Sequence, residues 1–538
     1  MTHVEALQLV IILGGTLGLA VLFGLYIARL IVYEQRPLEK TLGRVENRFY
    51  RFVGIDKDHQ MTWKEYFYAL LLTNGIVAGF VFAVFLLQNH MPFYPMPTFS
   101  IDLAFMQAAS FITNTNLQHY AGDAQLSIFT QMVSLTFVMF VAPGSGIAAA
   151  FAFIRGFIRK NFGLGNFYVD FIRIILTLLL PVAFFSALIL VGLGSPQTLY
   201  QTTSFTTIEG SIQEVPIGPV ASLESIKELG SNGGGFFYAN SAHPYENPNG
   251  LSNAYEIMLM LVIPLSFPIA YGKLLGKGRG ISILIVMLAG FALLLGIGLT
   301  VLSGPELLDT RFGSFGSVLF NISSIATNTG AANSALAGMS PEAVISLLLA
   351  MFIQAIPGAD GTGMMTMIVY IVLGLFIVGL MVGKTPEYMS MKITSRDIKL
   401  AVFVFLIHPA LILIPTAIAF ATGNAQEIVG DEITPFLYTQ TLYEYASAAA
   451  NNGSDYFGTS ADTPFWNWST GIVMLLGRYA PIGLMLALAG SFTVKDRKEV
   501  IEPIKTQGPV FSSVLFVMIF FLTALTFFPF LMLGPLSM

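Results

Sequence analysis

Thr113-Asn114-Thr115-Asn116, Gly230-Ser231-Asn232-Gly233, Thr327-Asn328-Thr329-Gly330 and Ala450-Asn451-Asn452-Gly453 are four versions of one short polar phrase. Each follows a weakly apolar segment of about ten residues, too short to cross a bilayer and therefore read as re-entrant. Each lies between two apolar runs that are long enough to cross. The first and third are alike further upstream, Ser110-Phe111-Ile112-Thr113-Asn114-Thr115 against Ser324-Ile325-Ala326-Thr327-Asn328-Thr329. Any one of these stretches alone reads as a surface turn, because Asn-Gly and Gly-Gly pairs are ordinary turn signals. Four in register predict a repeat of span, pore loop and span around a common axis.

Composition agrees with a chain that lives in lipid. Of 538 residues, 55% are hydrophobic and 11% charged, where a soluble domain carries roughly 25% charged residues. Apolar runs appear at about 7–33, 66–88, 127–154, 170–193, 254–275, 281–303, 341–383, 399–421, 468–490 and 509–534. Four repeats use eight spans, and the first and last spans are extra, so the repeat and the hydropathy both give ten. The expected fold is an all-α membrane protein with ten transmembrane helices. The division expected is a first helix and basic loop (1–60), pore repeats at 61–160, 161–280, 281–398 and 399–495, and a last helix (496–538).

Charge sets the orientation. Of 26 Lys and Arg, 23 fall on alternate junctions. Arg29, Arg36, Lys40, Arg44, Arg48, Arg51, Lys57 and Lys64 follow the first run. Arg155, Arg159, Lys160 and Arg173 follow the third, and Lys273, Lys277 and Arg279 the fifth. Lys384, Lys392, Arg396 and Lys399 follow the seventh, and Lys495, Arg497, Lys498 and Lys505 the ninth. Basic loops stay in the cytoplasm, so both termini are expected outside a cell (plasma or inner) membrane. The first apolar run has no basic segment before it and no small-residue cleavage site, and reads as a retained helix. The run 341–383 must cross once, yet it is too long for one straight helix. Its break is Pro357-Gly358-Ala359-Asp360-Gly361-Thr362-Gly363. Irregular backbone at that depth is tolerated only under a cover of protein or water.

The four loops suit a cation. A dehydrated cation needs close oxygens, and consecutive backbone carbonyls supply them when turned inward. That conformation needs positive φ at some positions, which Gly accepts and Asn tolerates. The fourth column reads Asn116, Gly233, Gly330, Gly453. Short helices ending at the loops present their negative dipole ends to the axis.

Larger stretches around these loops carry a family resemblance. SFITNTNLQ (110–118), GPVASLESIKELGSNGGGFFYANSAHPYENP (218–248), GKTPEY (383–388) and AANNGSDYFG (449–458) resemble the KdpA family, potassium-translocating subunits of the Kdp P-type ATPases. The likeness runs from about residue 29 to the C-terminus. It implies the fold of the potassium-transporter superfamily, with K+ as transported ion and no covalent cofactor. It also implies a complex with an ATP-hydrolysing KdpB-like P-type subunit, a KdpC-like accessory subunit and a single-span small subunit. The chain itself would be the non-hydrolysing member. By position, the resemblance places Thr113, Thr115, Ser231, Asn232, Gly233, Asn451, Asn452 and Gly453 in the filter. Asn114, Asn116, Gly230, Thr327, Asn328, Thr329, Gly330 and Ala450 complete the four aligned columns. Gln118, Gly234, Gly235, Gly358, Gly361, Gly363, Lys384 and Arg478 are expected near the filter or in gating. Arg478 lies mid-span, where a charge is costly and usually functional; snorkelling is its other reading.

The chain departs from the family at several points. Leu117 replaces an aromatic, Gln354 an acid, Lys384 an arginine. The third loop has Thr-Asn-Thr before its glycine, and Pro357–Gly363 replaces a simpler glycine pattern. These changes bear on selectivity and gating more than on fold.

Several function classes are excluded or disfavoured. With no cysteine, disulfides and thiolate metal sites are excluded. No aspartyl-phosphate motif is present, and Gly379–Thr385 has one residue too few for a P-loop and no strand before it. No basic domain suggests nucleic acid. His3, His59, His90, His119, His243 and His408 lack metal-ligand spacing; His119 and His243 are expected in a polar vestibule. Glu209, Glu214, Glu224, Glu228 and Glu246 are expected on the outer surface, either concentrating cations or simply solvated. Two rivals remain. A stand-alone Trk/Ktr/HKT-type uptake protein shares the four-fold plan, whereas a secondary transporter would show inverted repeats that this chain lacks.

Overall fold

The computed structural model describes residues 2–34, 39–158, 163–301, 311–336, 339, 341–430, 432–497 and 504–537. Arg36, Arg159, Lys160 and Lys498, counted above among the basic residues, lie outside them.

Ten described helices are long and apolar enough to cross a membrane. In chain order they are His3–Ile31, Trp63–His90, Ile128–Arg155, Phe167–Leu193, Gly250–Leu275, Lys277–Leu299, Thr362–Met381, Ser395–Ala421, Pro464–Thr493 and Pro509–Leu533. Four shorter helices stand before the polar phrases: Ile101–Ile112, Val220–Leu229, Gly313–Ala326 and Pro435–Ala450. We call these the first to fourth pore helices. Ser100 and Thr434 cap the first and fourth by accepting a backbone N–H in the opening turn, a role that short hydroxyl side chains fill well.

Burial reveals the four-fold plan. The spans that follow a pore helix, the third, fifth, seventh and ninth, have 89, 78, 67 and 50% of their apolar windows buried. Those that precede one, the second, fourth, sixth and eighth, have 28, 33, 50 and 28%. Each repeat is therefore an outer helix, a pore helix and an inner helix. The first and tenth spans are each 28% buried and lie outside the plan. The first packs along the fifth, and the tenth packs against the sixth and the seventh.

The long apolar run 341–383 is broken as expected. One helix covers Pro341–Ile353, and a second begins at Thr362. Between them Gln354, Gly358 and Gly361 take positive φ. The break is fastened to the site, because the Gly358 N–H donates to the carbonyl of Ala326, the last residue of the third pore helix, at 2.9 Å. Gly358 and Gly363 meet face to face, and a side chain on either would collide with the other's backbone.

Away from the pore loops, at the basic end of the bundle, a buried ion pair ties four spans together. Arg155 donates to both oxygens of Asp170 at 2.6 and 2.7 Å and to the carbonyl of Ile31 at 2.6 Å. Tyr66 donates to the same carboxylate at 2.8 Å. The two-pronged geometry and the extra donor satisfy a charge pair that would otherwise be expensive to bury.

Candidate functional site

Each polar phrase begins where its pore helix ends, and all four loops have one backbone conformation. The second column has positive φ in every loop: Asn114 61°, Ser231 50°, Asn328 52° and Asn451 53°. So does the fourth: Asn116 56°, Gly233 95°, Gly330 82° and Gly453 101°. The third-column N–H turns back to the pore helix at the same offset each time. Thr115 donates to the Ser110 carbonyl, Asn232 to Lys227, Thr329 to Ser324 and Asn452 to Ser447, all at 2.8–2.9 Å. With these N–H groups consumed behind the loop, the alternating handedness is the backbone pattern that lets consecutive carbonyls turn toward a common centre.

Those faces meet one another. A carbon placed on Gly233 would overlap the Thr329 carbonyl oxygen, one on Gly330 the Asn452 oxygen, and one on Gly453 the Thr115 oxygen. Between the first and second loops, Gly234 packs on Asn116. The contacts run from loop two to three, three to four, four to one and one to two, which closes a ring. No bulkier residue fits at the three glycines, which explains their place in the sequence.

Side chains lock neighbouring quadrants. Asn114 Nδ2 donates to the carbonyls of Gly230 and Ser231 at 3.0 and 2.7 Å. Asn328 Nδ2 donates to the Ala450 carbonyl at 3.1 Å, and Asn451 Nδ2 to Thr115 Oγ1 at 2.9 Å. Within loops, Thr113 and Thr115 hydroxyls are 2.7 Å apart, and those of Thr327 and Thr329 2.8 Å. Gln118 clamps the second loop from both sides: its Oε1 accepts from the Gly235 N–H at 2.9 Å, and its Nε2 donates to the Gly235 carbonyl at 3.1 Å.

The ring separates two cavities. One, of about 290 Å³, is bounded by Gly330 and Gly453 below and by Gln118, Asn240, Ser454, Asp455 and Tyr456 around it. Burial, reinforced by the Glu444 carboxylate, pushes the Asp455 carboxyl well above the usual carboxylate range. Burial holds the His243 ring below its ordinary value, and that ring stacks on Phe237 with centroids 3.6 Å apart. The other cavity, of about 30 Å³, has room for roughly one water. It is bounded by Asn328, Asn451, Gln354, Ala359, Thr362 and Arg478. Fourth-column residues thus face the larger cavity, and first- and second-column residues the smaller. Arg478 is buried there with Nη2 donating to the Ala142 carbonyl of the third span at 3.1 Å. Gly146 makes room for it, since a carbon there would approach Nη2 to 2.5 Å.

The four aligned loops therefore come together, with Gln118, Gly234 and Gly235 against them, Arg478 on the smaller cavity and Gly358 tied to the end of the third pore helix; Gly363 packs on Gly358, and Gly361 faces Ile147 and Ala150 of the third span and Phe267 of the fifth. Lys384 does not. It lies beyond the far end of the twenty-residue helix Thr362–Met381, about 30 Å of helix from the break. The outer acids need a larger correction. Glu209 and Glu214 are exposed on a hairpin, but Glu224, Glu228 and Glu246 are buried around Lys227. They are not on the outer surface. His119 is also deeper than a vestibule residue: it is fully buried, with Nδ1 2.8 Å from Asn467 Oδ1 and Nε2 3.7 Å from Glu444. Gln354, noticed only as a departure, places its amide 2.9 Å from the His408 ring on the eighth span.

Comparison with known proteins finds matches in both sequence and fold. Residues 10–538 match the family model for KdpA, described as potassium-transporting ATPase A subunit. The chain is similar to the potassium-transporting ATPase potassium-binding subunit of Alicyclobacillus acidocaldarius. The two are 42% identical over 537 residues, covering 96% of this chain and 95% of that one. In fold it is similar to the potassium transporter TrkH from Vibrio parahaemolyticus, with a TM-score of 0.57 at 16% identity, covering 91% of this chain and all of the other.

Proposed function

The chain belongs to the KdpA family, and from that premise we propose how it handles its ion. It is the potassium-binding subunit of an ATP-driven potassium transporter. Potassium enters the larger cavity, sheds water, and is held on the axis by carbonyl oxygens of Thr113–Asn116, Gly230–Gly233, Thr327–Gly330 and Ala450–Gly453. The observation that carries this reading is the closed ring of four loops with the same two left-handed positions in each. The pore-helix ends add negative partial charge toward the centre. Arg478 stands on the inner side, where its charge opposes free passage of a cation leaving the filter.

The larger cavity faces outward in this reading, and both termini are extracytoplasmic. The clustering of 23 of 26 basic residues on alternate junctions supports it, since basic loops stay in the cytoplasm. The partners are a KdpB-like P-type catalytic subunit, a KdpC-like accessory subunit and a single-span small subunit. The TrkH-like fold also suits a stand-alone uptake protein. Co-purification of an ATPase subunit decides between the two.

The test is ATP hydrolysis by the purified complex across potassium, rubidium, sodium and ammonium. Potassium is expected to stimulate at the lowest concentration. Gly233→Asp, which puts a side chain against the Thr329 carbonyl, is expected to raise the half-saturating potassium at least tenfold. Unchanged affinity would remove the second loop from the filter.

A further inference from the structure

Behind the second filter loop lies a group of charges that potassium binding does not use. Lys227, on the second pore helix, places its ammonium 2.7 Å from Glu224, 2.7 Å from Glu246 and 3.3 Å from Glu228. The same ammonium donates to Asn240 Oδ1 at 2.9 Å and to Ser241 Oγ at 2.7 Å. A fourth carboxylate, Glu256, points in from the fifth span. Glu224, Lys227, Glu228, Glu246 and Glu256 are all 0% exposed. Four carboxylates thus face one ammonium. A buried charge without compensation is strongly unfavourable.

Protons are one remedy within part of the group, because the Glu224 carboxyl lies within hydrogen-bond reach of Glu246 and of Glu228, but they do not account for Glu256. A carboxylic acid sharing its proton with a carboxylate closes to about 2.5–2.7 Å. Neither oxygen of Glu256 has a hydrogen-bond partner among the described residues, and Glu228 Oε2 has none either. Instead, one oxygen each from Glu224, Glu228 and Glu256 lie within 4.8 Å of one another. Three oxygens around a hard divalent ion at about 2.3–2.6 Å lie at most about 5 Å apart.

We propose that the carboxylates of Glu224, Glu228 and Glu256 hold a resident hard divalent cation of calcium size behind the second filter loop. The unpartnered Glu256 carboxylate, brought in by a separate helix, is the observation that distinguishes this from a mere acidic cluster. The site also touches the filter indirectly. Asn240, held by Lys227, donates its amide to the Gly233 carbonyl at 2.6 Å. Occupancy therefore stiffens one quadrant of the ring. The site stands apart from the transported ion, and its test does not depend on which residues bind potassium.

The experiment counts metal by mass spectrometry in the full chain, purified in detergent in excess potassium with calcium and magnesium present during growth. About one divalent ion per chain is expected in the wild type, unmoved by potassium. It should be lost in Glu256→Gln and in Glu228→Gln and kept in Glu209→Gln, a change on the exposed hairpin. Prolonged chelation at raised temperature should lower the wild-type unfolding midpoint by several degrees and leave Glu256→Gln unchanged. A wild type without stoichiometric divalent metal overturns the proposal, whatever the variants do. So does an ion retained by both variants, or one displaced by potassium.

Discussion

The carbonyl oxygen of Thr115 sits so close to Gly453 that no carbon fits between them. These residues are far apart in sequence and belong to the first and last loops, so their contact is the seam that closes the ring. Gly453 also has φ near 101°, a conformation that costs an L-residue about 1–2 kcal/mol before any collision. Gly453→Ala is therefore expected to open the seam. Half-saturating potassium for ATP hydrolysis should rise at least tenfold, since each ~1.4 kcal/mol is a factor of ten. A variant with wild-type potassium dependence would mean that the seam is not part of the binding site.

Asn116 holds the equivalent position in the first loop and is the odd member of its column. Its φ of 56° is one that Gly adopts without strain. Neither of its side-chain polar atoms has a hydrogen-bond partner among the described residues. Asn116→Gly should accordingly leave potassium affinity within about threefold of wild type, a shift of under roughly 1 kcal/mol. A large loss, in the same titration, would assign the amide a direct part in holding the ion.

Arg478 supplies a positive charge beneath the ring. If that charge keeps the filter from leaking, Arg478→Gln in the reconstituted complex should allow potassium flux without ATP. Arg478→Lys should stay tight, because it keeps the charge while losing the planar fork. Flux measurements on proteoliposomes read both. Equal tightness in both variants would leave Arg478 with a packing role against Ala142.

The Arg155–Asp170 pair makes a prediction about stability alone. Asp170→Asn leaves a fully buried guanidinium without its counter-charge, a change that costs about 3–5 kcal/mol. The unfolding midpoint in detergent should fall clearly. Potassium dependence of whatever folded complex remains should be unaltered, because the pair stands at the opposite end of the bundle from the loops.

Much of this architecture was legible because membranes leave few choices. Ten spans follow from hydropathy, and one break follows from Pro357–Gly363 inside a run too long to be straight. The four loops announced themselves by repetition. The buried charges around Lys227 did not. Glu224, Lys227 and Glu228 look like the solvated face of a short helix, and their partners Glu246 and Glu256 come from later segments. Spacing in the sequence carries no trace of that convergence. A clue lay in the pore helix itself, since a re-entrant helix walled in by other helices has no solvated face to offer. Lys384 is a different case: a whole helix, Thr362–Met381, separates it from the break, a distance that the motif GKTPEY does not display.

One wall of the pore is interrupted, at Pro357–Gly363, while the other three inner helices run whole. An assembly of four identical subunits cannot do this, since any flaw introduced into one stave of the barrel appears in all. A single polypeptide that writes its quadrants separately can keep near-square symmetry where an ion is weighed and abandon it a few ångströms deeper. Lopsidedness beneath an even-handed ring is thus open to one chain and closed to a symmetric tetramer.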